Sequence, residues 1–150
     1  MSQEEKDFIR EWLEENGLSF DVVDGMYVIP YESTIVIVRR AKWSDHDIVE
    51  ITATVAIGVK DKPELLKFLL AKNAEIPLGK FSFVEDGIDG KPTVFYSHYM
   101  LEKYLEKEEF RASLVAVMAV ADMFDEKIAE LGEGSTSRDY ILKAQEKGGE

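Results

Sequence analysis

The sequence predicts an α+β domain in which helices pack on one antiparallel sheet, and three observations carry that prediction. Strand and helix signals come in separate blocks, so the regular strand-helix alternation of a parallel sheet is missing. Turn dipeptides such as Asp24-Gly25 join strand signals directly, as neighbours in an antiparallel ladder require. The third observation is a long period-two run from Val49 to Val59, too regular for a helix.

From the N-terminus, Ser2 and Glu5 have the spacing of a capping box, and Phe8, Ile9, Trp12 and Leu13 recur at helical spacing up to a stop at Asn16-Gly17. Leu18, Phe20 and Val22 alternate with Ser19 and Asp21 in a first strand, which Asp24-Gly25 turns back into Met26 to Ile29. Pro30 is expected to end that second strand. A third, Thr34 to Arg40, follows a turn at Glu32-Ser33, and a polar loop is predicted from Lys42 to Asp47. The long run then places Val49, Ile51, Ala53, Val55, Ile57 and Val59 on one face and Glu50, Thr52 and Thr54 on the other.

Asp61 is expected to cap a helix that holds Pro63 in its first turn and carries Leu65, Leu66, Phe68, Leu69 and Leu70 as far as Asn73. Pro77-Leu78-Gly79 resets the chain. Phe81 to Val84 reads as a strand, Glu85 to Gly90 as a turn, and Thr93 to Tyr99 as the partner strand. A long helix from Lys107 to Leu131 presents the apolar stripe Phe110, Leu114, Val117, Met118, Ala121, Phe124 and Ile128. Gly132-Glu133-Gly134 ends it, and Ser137 is expected to cap a last short helix bearing Tyr140, Ile141 and Ala144. The expected organisation is one α+β domain over residues 1–131, followed by a short helix and tail over 132–150.

With 150 residues and 45% hydrophobic content, the chain can bury a core without disulfide or metal staples. The absence of cysteine excludes thiol nucleophiles, zinc-cysteine sites and iron–sulfur clusters. Against 18 Lys and Arg stand 30 Asp and Glu, a net charge of −12 that repels phosphate backbones, so nucleic acid is not an expected partner. Each half of the chain carries 15 acidic and 9 basic side chains, so the charge does not sit in a tail. The acidic start lacks a signal-peptide pattern, and the longest apolar run, Leu114 to Ala121, is far short of the roughly 18 residues a bilayer span needs. Cytoplasm is the expected compartment, with no membrane partner.

Catalytic residues are hard to assign. The two histidines, His46 between aspartates and His98 in a strand, stand without a nucleophile elbow or a partner at metal-ligand spacing, and they read as a solvated loop residue and a sheet-surface residue. Asp122, Glu126 and Glu130 share one face of the long helix with Asp125 nearby, and a solvated acidic face is expected there. Glu85-Asp86-Gly87-Ile88-Asp89-Gly90 lacks the spacing of a calcium loop. No catalytic residue, metal or cofactor is therefore expected. The best binding candidate is a basic and aromatic corner, Arg39, Arg40 and Lys42 beside Trp43, which Lys60 and Lys62 would join if the third and fourth strands form a hairpin.

Leu69-Leu70-Ala71-Lys72-Asn73, continuing to Gly79-Lys80-Phe81-Ser82-Phe83 and Asp86-Gly87, resembles the YbjN family, whose fold is similar to that of type III secretion chaperones. Asn16-Gly17, Phe20, Asp24-Gly25 and Ala121-Asp122 in the long helix fit the same pattern, which covers roughly residues 3–131. The resemblance implies a non-enzymatic interaction or regulatory module of chaperone or adaptor type, a homodimer that holds a segment of a partner protein on a helix-and-sheet surface. It supplies no catalytic residues. The alternative reading is a binder of a small ligand or divalent cation through the acidic helix face or the basic corner.

Overall fold

The strand signals assemble into one seven-stranded antiparallel sheet in the computed structural model, which describes residues 7–148. In chain order the elements are α1 (Phe8–Glu15), β1 (Asp21–Val23), β2 (Met26–Tyr31), β3 (Thr34–Trp43), β4 (His46–Ile57) and α2 (Pro63–Glu75). Then come β5 (Lys80–Val84), β6 (Thr93–Leu101), α3 (Lys107–Gly132), β7 (Ser135–Thr136) and α4 (Ser137–Gly148). The strands lie side by side as β1-β2-β3-β4-β6-β5. β7 pairs with Ala56 and Ile57 of β4, next to where β3 begins, so the chain beyond α3 joins the same sheet.

Antiparallel register sorts the side chains onto two faces. On one, Tyr27, Ile29, Val36, Val38, Val49, Ile51, Ala53, Tyr96 and Met100 are buried. α3 covers this face with the predicted stripe, of which Phe124 alone is only half-buried, while α1 adds Ile9 and Leu13 and α2 adds Leu65 and Leu69. The opposite face stays within reach of solvent. Val28, Ile35, Ile37, Ile48 and Phe95 are half-buried there, and Trp43, Tyr99 and Leu101 are exposed.

Pro30 does not end β2, which runs on to Tyr31. The two-residue turn makes Tyr31 and Thr34 a hydrogen-bonded pair, so the nitrogen of Pro30 faces away from β3, past the end of β1, where the ladder needs no donor. The predicted polar loop 42–47 shrinks to Ser44-Asp45: Trp43 and His46 pair within the ladder, and Ser44 takes the left-handed conformation of a tight hairpin at φ 58°. A bulge between Thr54 and Ala56 breaks the alternation of β4, so Val55, Ala56 and Ile57 are buried in succession and Val59 lies beyond the strand.

The caps also differ from expectation. Lys62, not Asp61, stands at the start of α2, and Pro63 occupies the first helical position, where its missing N–H costs nothing. Ser2 and Glu5 lie outside the described residues; Asp7 caps α1, its Oδ1 accepting from the Ile9 N–H at 3.1 Å. At α4 the Thr136 hydroxyl accepts from the Asp139 N–H at 3.2 Å, while the Ser137 hydroxyl donates instead to the Thr54 carbonyl at 2.7 Å.

Two contacts fix β5. Gly79 enters it at φ 105° against the buried ring of Tyr96, whose hydroxyl donates to the Leu78 carbonyl at 2.7 Å and whose pKa burial pushes up to about 12. On the outer edge, the Asn73 side chain accepts from the Phe81 N–H at 2.7 Å and donates to the Phe81 carbonyl at 3.1 Å, taking the place of a neighbouring strand.

Candidate partner-binding face

β3, β4 and β6 place a polar cluster at the centre of the solvent-facing side of the sheet. Glu50 is the hub: it lies opposite Arg39 across the β3-β4 pair and opposite Tyr99 across the β4-β6 pair. Arg39 Nε donates to Glu50 Oε1 at 2.6 Å, and the Thr52 and Tyr99 hydroxyls donate to Oε2 at 2.5 and 3.3 Å. Because the one Thr52 proton goes to Glu50, Ser97 is the donor in the 2.9 Å contact between the Ser97 and Thr52 hydroxyls. Burial, reinforced by the Glu50 carboxylate, raises the Tyr99 pKa, so the phenol stays a donor.

Beside this cluster the β3-β4 hairpin and the end of β6 form a groove of about 500 Å³ lined by Arg39, Ala41, Trp43, Ile48, Tyr99 and Leu101. Trp43 is 70% exposed and Tyr99 56%, and the Trp43 ring stacks on His46 at 6.5 Å between centroids. Large aromatic side chains held on strands yet left in solvent are the residue type that anchors partners, because they bury much area at little entropic cost.

The sequence-predicted corner is divided by the alternation of β3. Arg39 and Trp43 line the groove. Arg40 points to the helix-covered side, where it pairs with Asp7 Oδ1 and Glu102 Oε1, each at 3.2 Å, and lies 4.8 Å over the Phe8 ring, clasping the start of α1. Lys42 reaches the groove from the hairpin and pairs with Asp47 at 2.7 Å. Lys60 and Lys62 are not part of the corner, because β4 runs away from the hairpin and carries them to the far end of the sheet, where both bond Glu133.

His46 is an exposed strand residue, not a loop residue. His98 lies half-buried on the helix-covered side, and burial lowers its pKa while Glu109 opposes the shift. On α3, Glu126 and Glu130 are solvated as expected, but Asp125 is not: it is 1% exposed, and the Ser33 hydroxyl of the β2-β3 turn reaches it and also lies 3.2 Å from Asp122 Oδ1. The spacing of the acidic residues could not separate Asp125 from its solvated neighbours. No group of three His, Asp or Glu among the described residues is placed to hold a metal, and nothing favours a small-ligand or cation site on the acidic face or at the basic corner.

Burial raises the Asp125 pKa, outweighing the Ser33 hydrogen bond. A carboxyl whose folded pKa lies above its unfolded value favours folding below the unfolded pKa, and that advantage is lost as pH rises through the folded pKa. Asp125→Asn is therefore expected to melt higher than the parent at pH 8, with the gap closing as pH falls into the carboxylate range. Melting temperatures between pH 3 and 8 check this; a parallel offset at every pH would refute it.

A second uncovered surface runs along α3, where Val115 and Met123 are exposed near Ala119, and Leu18 and Tyr31 complete a cleft of about 280 Å³ with Val115 and Met118. The buried stripe is readable from sequence. The apolar character of the outward side was hidden inside the run Leu114 to Ala121.

The sheet is covered by helices on one side and presents an aromatic-rimmed groove on the other, the architecture of an α+β helix-on-sheet module. The chain belongs to the TY-Chap1 family of type III secretion (YopN, CesT) and YbjN peptide-binding chaperones, whose model matches residues 6–140. Solved structures with this fold include YbjN from E. coli, 16% identical with a TM-score of 0.60, the match covering 86% of this chain and 93% of that one. A chain of the ExsC-ExsE complex is 19% identical with a TM-score of 0.56 over 77% and 86%. No curated protein matches the chain. The resemblance read from Asn73, Gly79-Lys80-Phe81 and the hairpin glycines is thus confirmed, and so is the fold class.

Proposed function

We propose that this chaperone-family protein holds a segment of a partner protein in the groove between the β3-β4 hairpin and β6, in the cytoplasm and without catalysing a reaction. The observation that carries the reading is the exposure of Trp43, Tyr99 and Leu101 around a hydrogen-bonded floor in a chain of this family. Trp43 is the anchor, Arg39 and Lys42 border it, and Arg40 is a positioning residue that holds α1 behind the sheet.

Affinity capture from the native host, followed by mass spectrometry, tests this with paired variants. Trp43→Ala combined with Tyr99→Ala is expected to weaken recovery of the specific partner about tenfold or more, while Lys127→Ala on the far side of α3 leaves it unchanged. Full recovery with the double variant would refute the groove.

The outward side of α3, where Val115 and Met123 are exposed and Val115 borders the cleft with Leu18 and Tyr31, is the surface on which this reading places a homodimer. Light scattering at micromolar concentration is expected to give twice the chain mass of 17.0 kDa, and the single mass for Met123→Glu. A monomer in the parent protein would rule the dimer out.

A further inference from the structure

A group of three lysines lies away from the groove, at the far end of the sheet. Lys91, Lys143 and Lys147 line one cavity of about 320 Å³ together with Gly58, Ser135 and Tyr140. They come from three separate places in the chain: the entry to β6, and two successive turns of α4. No carboxylate among the described residues pairs with any of the three. Glu133 also lines the cavity, but both Lys60 and Lys62 bond its carboxylate. Three lysines and one carboxylate therefore line the cavity in a chain that as a whole carries −12, with the Asp89 carboxylate just beyond Tyr140.

Like charges converging in this way repel one another and cost stability unless an anion joins them. Lys147 sits in the last turn of α4, where the helix dipole favours a cation. That argument does not reach Lys91, nor does the 3.2 Å contact from Lys143 to the Ser135 hydroxyl neutralise a charge. The walls are set: Tyr140 donates to Asp89 beyond the cavity, and β7 is tied to β4 beneath it. The volume is at the lower end of small-ligand pockets, and ammonium groups are point-charge binders of phosphate.

We infer that this cavity binds a small, multiply charged phosphate compound, the anion bridging Lys91 to Lys143 and Lys147 and pinning α4 to the sheet. Inorganic pyrophosphate is the probe and inorganic phosphate its shorter arm. At matched ionic strength in chloride, pyrophosphate is expected to raise the melting temperature by several degrees, because a ligand that binds only the folded state stabilises it. It is also expected to slow backbone hydrogen exchange in α4. Phosphate alone should do both more weakly, and equal effects would reduce the requirement to a single phosphoryl group, overturning the bridged geometry. The triple variant Lys91→Ala, Lys143→Ala, Lys147→Ala should lose both effects, while Lys127→Ala keeps them. An unchanged shift in the triple variant, or no shift with pyrophosphate at 100-fold lower chloride, overturns the site. Either result leaves the Trp43 groove untouched, since no residue is shared.

Discussion

Gly79→Ala is expected to cost about 3 kcal/mol of folding free energy, the sum of backbone strain and a clash that nothing nearby can relieve. The backbone at Gly79 has φ 105°, a region that side chains other than hydrogen rarely allow. A Cβ there would lie 2.6 Å from Tyr96 Cε2 and 2.8 Å from Cζ. Tyr96 cannot swing aside, because it is fully buried, packs its ring against Phe81 at 4.6 Å, and bonds the Leu78 carbonyl through its hydroxyl. Urea titration followed by circular dichroism measures the loss. A change under about 0.5 kcal/mol would mean that β5 re-enters the sheet by another path. Because β5 borders β6, which carries Tyr99, the same variant is expected to loosen the groove from behind.

Phe110→Ala should cost about 3–5 kcal/mol, the range for removing a buried aromatic side chain and leaving a cavity. Phe110 opens α3, is fully buried, and meets the Trp12 ring at 5.4 Å; Trp12 in turn meets Phe8 at 4.7 Å. This chain of rings attaches α1 to α3, with Arg40 closing it over Phe8. Against a total stability of roughly 5–15 kcal/mol, the loss is large enough to free α1 before the rest of the fold opens. Trp12 fluorescence, recorded in a Trp43→Phe background so that one indole reports, should shift to the red in the variant without denaturant. An unshifted spectrum with an unchanged urea midpoint would show that α1 is held by other means.

Much of this architecture could be read from residue order because its signals are local. The stripe from Phe110 to Ile128 repeats at helical spacing whatever it packs against, and Asp24-Gly25 turns a hairpin on its own chemistry. What escaped depended on partners distant in sequence. Trp43 looked like a loop residue until its pairing with His46 put it on a strand, and the Arg39-Arg40 cluster divided once alternation sent neighbours to opposite faces. Asp125 was indistinguishable from solvated carboxylates because Ser33, 92 residues away, is what meets it. The bulge at Val55 left no mark in an unbroken apolar alternation. Of the groove, sequence supplied the β3 side with Arg39, Lys42 and Trp43, but not Tyr99 and Leu101, which β6 brings alongside β4.

The treatment of the sheet borders bears on how such a protein can handle a partner. Pro30 removes a donor along one border, and Asn73 occupies the outward amide and carbonyl of Phe81 along the other. An unfolded segment that met a bare border would zip on as an extra strand, residue by residue, and leave only by breaking that ladder. At these two stations a ladder cannot form, and a segment held instead on the sheet face would make and lose each side-chain contact singly. Cargo held in that way could be handed on quickly, with no shared ladder to unzip first.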